Sequence, residues 1–145
     1  MKSKHKLQVA QNKIVRFILN MSSRDHISQS KLNLINLLNI KDRVCQLRLT
    51  HAFNIFNSLG PSYLSQNFTK VSDVHAHRTR SSNLNFIVPS VKGIASNTFY
   101  YNATRDWNGL PQSIKGISSK VTFKQRVKKH LADQALKQES AEFTV

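Results

Sequence analysis

Apolar residues recur along much of the chain at spacings of three and four, the period of an amphipathic α-helix. The spacing predicts four helices. The first is predicted over His5–Met21, and the second opens near Ser28 or Ser30. The third is predicted over Lys41–Leu59 and the last over Lys120–Lys137. Since a glycine and a proline follow the third helix directly, we expect it to end there.

The positions expected to face the interior are the apolar ones that keep the helical spacing. They are Leu7, Ala10, Ile14, Ile18 and Met21 in the first helix, Leu32, Ile35 and Leu38 in the second, Val44, Leu47, Ala52, Ile55, Phe56 and Leu59 in the third, and Phe123, Val127 and Leu131 in the last.

The region between the third and last helices has a different pattern. Thr69–Asn85 is rich in polar residues and predicts a long loop. Phe86–Val88 and Phe99–Tyr101 predict short extended segments, and Trp107, beside a Gly-Leu-Pro turn, predicts an aromatic anchor in the core. The predicted fold is therefore mainly α, a small bundle of about four helices with a short irregular or extended Trp-containing segment before the last helix.

The same pattern predicts the domain organisation. Residues 1–131 are expected to form one basic domain, with a helical part over 5–68, a loop-rich linker over 69–98, and a docking segment and basic helix over 99–131. Residues 132–145 are expected to hold the end of the last helix and an acidic, disordered tail.

The net charge of the chain indicates what kind of partner it binds. The chain has 145 residues, with 22 Lys and Arg against 7 Asp and Glu, for a net charge of +15. The tail from Ala132 carries three acidic residues and one lysine, so the preceding residues hold 21 basic and 4 acidic groups. A surface this positive attracts polyanions.

The same composition argues against several chemistries. The carboxylates are too widely spaced to form the paired motif of a nuclease or polymerase metal site. A single cysteine, Cys45, allows no internal disulfide, and it lies in an apolar helical pattern that favours an inert thiol over a nucleophile. His75 and His77 beside Asp73 are too few to favour a metal site. We expect no cofactor, no metal and no membrane span, and a reducing location in the cytoplasm or nucleus.

Nucleic acid is the polyanion that the basic positions favour, although an ordinary solvated basic face remains the alternative for each of them. Tyr100 and Tyr101 are the candidates for stacking against unpaired bases, because neighbours on a strand would point to opposite sides. The residues expected to contact phosphates are Lys13, Arg16, Arg78, Arg80, Arg105, Lys124, Arg126, Lys128 and Lys129.

Five motifs follow one another in a recognisable order. They are "LQVAQNKIVRFIL" (7–19), "LGPSYLSQNF" (59–68), "HAHRTRSS" (75–82), "FYYNATRDWNGLP" (99–111) and "SSKVTFKQRVKKHL" (118–131). This succession resembles the carboxy-terminal, thumb and post-thumb region of the reverse transcriptase polyprotein of jockey-like non-LTR retrotransposons. The resemblance covers residues 6 to 132.

The resemblance implies a part that holds RNA or DNA beside the active site of an RNA-directed DNA polymerase, with the polymerase palm domain as a partner. The family's aromatic-x-Asp-Asp catalytic motif does not occur in this sequence. We therefore expect a non-catalytic, nucleic-acid-binding fragment. The alternatives are a protein-interaction or scaffold module, or an inert remnant of a decayed element. A large exposed apolar patch on the first helix or around Phe86–Val88 would favour the interaction module.

Overall fold

A computed structural model describes residues 2–74 and 84–142 of the chain. Over these residues the protein is mainly helical, which confirms the predicted class, and no β-strand occurs among them. Four α-helices are ten residues or longer: α1 (Lys2–Ile18), α3 (Ile40–Phe56), α6 (Phe99–Asn108) and α8 (Lys120–Glu142). The short ones are α2 (Gln29–Leu34), α4 (Ser62–Ser65), α5 (Val71–Val74) and α7 (Gln112–Lys115), and a 3-10 helix over Gly93–Asn97 precedes α6.

The chain forms two compact units. The terminal unit comprises Met1–Gln46 and Lys128–Val145, and the central unit comprises Leu47–Val127. The divisions fall inside α3 and α8, so each of these helices contributes residues to both units. The sequence predicts one domain over residues 1–131, and the parts into which it divides that domain meet at residues 68/69 and 98/99.

Side-chain amides hold α1 against the rest of the terminal unit. Gln11 Nε2 donates a 2.7 Å hydrogen bond to the carbonyl of Leu38, and Gln8 Oε1 accepts one of 2.9 Å from the amide of Ile40. Val15, one turn further along α1, is fully buried. The inward side of α1 is therefore largely polar, with amides satisfying backbone groups that a buried connection would otherwise leave unpaired.

This arrangement overturns the predicted orientation of α1. The sequence predicts Leu7, Ala10, Ile14 and Ile18 to face the interior, but all four are exposed. The inward side begins with Gln8 and runs through Gln11 and Val15, about a quarter-turn around the helix from the apolar face.

Three helices are followed, two residues beyond their last residue, by a left-handed residue that is not glycine. Asn20, Asn36 and Ser58 have φ of 50°, 55° and 56°. In each case the next residue's amide bonds five residues back, as Leu59 N does to the carbonyl of Asn54 at 2.8 Å, the pattern of a Schellman motif. For α3 this closes the helix at Phe56, before the Gly-Pro pair at which the sequence predicts its end.

An aromatic cluster forms the core of the central unit. The rings of Phe53 and Phe123 stack at 4.5 Å between centroids, and those of Phe56 and Phe86 at 3.8 Å. Trp107 is buried among them, and its Nε1 donates a 2.9 Å hydrogen bond to the carbonyl of Leu84. The predicted role of Trp107 as an anchor is confirmed.

The predicted inward positions of the third helix need correction, whereas the short extended segment predicted at Phe86 is confirmed. Leu47 and Leu59 are exposed, whereas Leu49 and Phe53 are buried, because the inward stripe also includes the polar residue Gln46. Phe86 lies in an isolated bridge with Lys70, which bears out a short extended segment there.

The segment over Phe99–Tyr101 is helical, so the extended prediction is wrong. Thr98 Oγ1 accepts from the amide of Tyr101 at 3.4 Å and caps α6. Ala103, Thr104 and Trp107 then face the core at helical spacing, while Phe99 remains 44% exposed.

The acidic end of the chain is also ordered as far as it is described. Phe123, Val127 and Leu131 are buried as predicted, and α8 continues to Glu142. Both carboxylate oxygens of Glu139 lie 3.0 Å from the amide nitrogen of Gln29, the first residue of α2. A carboxylate is stabilised at a helix N-terminus. The disorder predicted beyond the expected helix end is therefore wrong as far as Glu142.

Candidate nucleic-acid interface

In the terminal unit, the predicted phosphate contacts differ in how free they are. Lys13 and Lys129 are exposed. Arg16 is partly buried, and its Nε donates a 3.0 Å hydrogen bond to the carbonyl of Asp25. Lys128 Nζ donates one of 2.7 Å to the carbonyl of Asn36, two residues beyond the end of α2. Lys13 and Lys129 therefore present their full charge to solvent, whereas Arg16 and Lys128 also stabilise turns.

In the central unit, the predicted contacts lie on α6 and α8. Arg105, Lys124 and Arg126 are exposed. Lys124 and Arg126 are two positions apart and so project about 200° apart around α8. One strand of phosphates therefore does not contact both in the same way. Arg78 and Arg80 lie outside the described residues.

The two tyrosine candidates have different surroundings. The Tyr100 ring meets the Phe68 ring edge to face at 4.8 Å and so belongs to the aromatic cluster. Tyr101 is partly exposed, and the guanidinium carbon of Arg105 lies 6.0 Å from its ring centroid. Tyr101 and Arg105 are four residues apart on α6 and form a cation–π pair. Tyr101 is therefore the better stacking candidate.

Both units are strongly basic. The terminal unit contains 12 Lys and Arg against 5 Asp and Glu, and the central unit 10 against 2. Even if every carboxylate of the chain paired with a different cation, 15 cations would have no carboxylate partner. Positive potential is therefore a property of each unit.

Two basic residues of the central unit have structural roles. Lys115 is 7% exposed, and its Nζ donates to Asn85 Oδ1 at 2.7 Å and to the carbonyl of Asn108 at 2.8 Å. Burial lowers the pKa of this amine below its ordinary value. Arg48 Nε lies 3.3 Å from Asp106 Oδ2 in an ion pair. These cations hold the fold and are not part of the interface.

Lys115 is a residue that the charge pattern does not identify as special. It lies four residues beyond the "FYYNATRDWNGLP" motif (99–111). Asn108, in that motif, exchanges two hydrogen bonds with the backbone of Phe86, at 3.0 and 2.7 Å. Asn108 and Lys115 therefore stabilise the central unit.

Each unit also has a cleft of ligand size. The terminal unit has a polar cleft of about 480 Å³, whose lining includes His26, Lys41, Asp42 and Glu139. Burial raises the pKa of Asp42, while a hydrogen bond from Asn39 and the charge of Lys41 act in the opposite direction. Both acids of this cleft have partners within the unit. Glu139 accepts from the amide of Gln29 at the start of α2, and Asp42 Oδ2 accepts from the side-chain amide of Asn39 at 2.8 Å.

The cleft of the central unit is apolar, with a volume of about 510 Å³. Its lining includes Ile55, Leu59, Leu64 and Phe99, together with Asn54, whose buried Oδ1 has no hydrogen-bond partner. Neither cleft contains a residue expected to contact phosphate.

His75 and His77, which the sequence does not favour as metal ligands, lie outside the described residues, while Asp73 lies on α5. Within residues 2–74 and 84–142, no group of three His, Cys, Asp or Glu is placed to hold a metal ion. In the same part of the chain, no helix combines the length and apolar character that crossing a membrane requires.

The chain was also compared with known proteins. No family model, no curated protein and no solved structure matches it.

Proposed function

We propose that this protein is a non-catalytic, nucleic-acid-binding part of a retrotransposon reverse transcriptase. It holds RNA or DNA through phosphate contacts, without sequence preference. The observation that carries the proposal is the excess of 15 cations over carboxylates, spread over two folded units. The exposure of Lys13, Arg105, Arg126 and Lys129 supports it, because cations that lie in solvent can replace counterions on a phosphate backbone.

The origin of the chain rests on the ordered motifs that resemble the non-LTR retrotransposon family. In this chain, Trp107, Asn108 and Lys115 have structural roles, since their side chains donate to the carbonyls of Leu84, Phe86 and Asn108 respectively. In such a polyprotein the partner of this part would be the polymerase palm domain.

Charge neutralisation tests which residues bind. In a triple variant, Arg105, Lys124 and Arg126 are each replaced by Gln, and affinity for labelled single-stranded RNA, single-stranded DNA and duplex DNA is measured by fluorescence anisotropy. We expect the affinity for all three to fall at least about tenfold, because each lost phosphate contact removes counterion release. Losses confined to one sequence or one strand type would contradict backbone binding.

The matched control is Lys92→Gln, which removes one exposed positive charge in the same unit at a position outside the proposed contact set. We expect a loss of less than about threefold. If the triple variant lost no more affinity than expected from its change in net charge alone, as extrapolated from Lys92→Gln, the assignment of these residues would fail.

A protein-interaction role is the second candidate, and one observation favours it. The apolar face of α1 is exposed, which is the feature expected of an interaction module. The exposed fractions of Leu7, Ile14, Phe17 and Ile18 are 55%, 58%, 87% and 55%. The two roles are compatible, since the exposed apolar residues of α1 are not among those assigned to phosphate contact.

A further inference from the structure

The exposed apolar face of α1 has the spacing of a helix-pairing seam. Leu7, Ala10, Ile14 and Phe17 follow one another at intervals of three, four and three, which are the a and d positions of two successive heptads. We refer to these four residues as the α1 seam. All four are exposed, with Phe17 the most exposed at 87%.

The seam is held outward by the contacts on the inward side of the helix. Gln11 bonds to the carbonyl of Leu38, Gln8 to the amide of Ile40, and Val15 is fully buried. A rotation of α1 that buried the seam would break both amide bonds and expose Val15. The outward face is therefore a fixed feature of the terminal unit.

The residues that flank the seam indicate the charge of the partner that would bind to it. Lys6 and Lys13 occupy the two g positions, which lie beside the seam and pair with the e positions of a partner helix. The whole helix carries five Lys and Arg, and no acidic residue occurs from Lys2 to Ile18. We propose that the α1 seam binds an amphipathic helix of a partner protein whose flanking positions are acidic.

A second copy of the chain fits this seam poorly. In an antiparallel pair of α1 helices, Lys6 and Lys13 of one copy would face the lysines of the other. In a parallel pair, Lys13 would face Ile18, and no opposite charge would meet it. Charge complementarity therefore favours a different protein over self-association.

The small residue in the seam favours a helix over a lipid surface. A helix that lies in a membrane interface commonly places several large apolar or aromatic residues along one side. Helix α1 has one aromatic residue, Phe17, on its exposed apolar face, and a small residue, Ala10, between Leu7 and Ile14. A small residue at this point leaves a hole into which a larger side chain of a facing helix fits.

This inference rests on the second candidate function and does not depend on nucleic-acid binding. The test uses the full chain and labelled synthetic helices of about three heptads, with leucine at a and d. One peptide has glutamate at e and g, a second has lysine there, and a third is a scrambled version of the acidic peptide. We expect the acidic amphipathic peptide to bind with a Kd below about 100 µM, and the other two at least about tenfold more weakly.

Variants separate the seam from general attraction to a basic protein. The triple variant Leu7→Gln, Ile14→Gln, Phe17→Gln changes exposed residues and should keep the fold, checked by circular dichroism. We expect it to bind the acidic peptide at least about tenfold more weakly. The control Leu34→Gln alters an equally exposed apolar residue of the same unit, 76% exposed, and should bind as the wild type does.

A charge swap gives the sharpest result. Lys6→Glu with Lys13→Glu should weaken binding of the acidic peptide and strengthen binding of the lysine-flanked one. Equal binding of the acidic and scrambled peptides, or no effect of the seam variant, would overturn the proposal. Two further results would overturn the proposal, each in the case that no peptide binds. In one, the wild type binds phosphatidylserine vesicles and the seam variant does not. In the other, the wild type forms a dimer in solution and the seam variant does not.

The seam variant also keeps the two proposals apart. It retains every residue assigned to phosphate contact, so its affinity for nucleic acids should equal that of the wild type. Loss of peptide binding with retained RNA binding supports the seam alone, and failure of RNA binding in the wild type leaves the peptide result intact.

Discussion

At the scale of single residues, hydrogen bonds of polar side chains determine which residues face the interior where the hydrophobic pattern does not. Gln8 and Gln11 turn the polar side of α1 inward because backbone groups of the terminal unit need partners. Lys115 is buried because two oxygens of the central unit accept its protons. No periodicity of apolar residues contains this information, so these placements could not be predicted from the sequence.

The buried amine of Lys115 leads to a prediction about stability. Lys115→Met keeps the length of the side chain but leaves the two oxygens without their donor. We expect the free energy of unfolding to fall by about 1–3 kcal/mol, measured by urea denaturation. The control Lys92→Met replaces an exposed lysine of the same unit and should cost less than about 0.5 kcal/mol.

The loss should also depend on pH. The pKa of Lys115 is lowered on folding, so between its folded value and the ordinary 10.5 the unfolded chain binds more protons than the folded one. The contribution of Lys115 to the free energy of unfolding therefore rises with pH in that window. The neutral amine still has two N–H groups, one for each of its two acceptors. The difference between wild type and Lys115→Met should widen as pH approaches 10.5. A difference that shrank over this range would show that the amine is not desolvated.

At the scale of elements, the sequence predicts helices well where one apolar stripe faces one core. In α8, Phe123, Val127 and Leu131 recur every four residues and are buried as predicted. The start of α6 was predicted as extended because Phe99–Tyr101 is aromatic. Yet the helical signal was present in the sequence: Thr98 is a good N-cap, and Tyr100, Ala103, Thr104 and Trp107 have helical spacing.

The outward seam of α1 shows a different limit. Its spacing predicts an amphipathic helix, which is confirmed, but amphipathic spacing says nothing about whether the apolar side meets this chain or another. The acidic end of the chain shows that polar spacing, likewise, does not say whether a residue meets solvent or another part of the chain. Its acidic residues predict a solvated end, but Glu139 accepts from the backbone at the start of α2, and that contact is 110 residues distant in sequence.

The contact of Glu139 predicts how the end of α8 is held. Glu139→Ala removes a charged acceptor from the N-terminus of α2. We expect it to lower the free energy of unfolding by about 1–2 kcal/mol. Hydrogen exchange at the amide of Gln29 should become faster. The control Asp133→Ala removes the same charge from an exposed position on α8. If both variants behaved alike, the contact would not stabilise α2.

At the scale of the whole molecule, charge links the fold to the proposed function. The chain has seven carboxylates for 22 cations, and some of these carboxylates form ion pairs within a unit, as Asp106 does with Arg48. A chain with this balance repels itself unless anions are near, because the excess charge cannot be neutralised within it. We infer that a polyanion is its normal environment, and an RNA or DNA backbone supplies one.

The salt dependence of nucleic-acid affinity tests this central claim most directly. The affinity of the wild type for single-stranded RNA and for duplex DNA is measured at several salt concentrations, and its logarithm is plotted against the logarithm of salt concentration. If five or more phosphates are contacted, the slope should be about −3.5 or steeper for the single strand and about −4.5 or steeper for the duplex. A slope near zero, or no binding at low salt, would contradict the account.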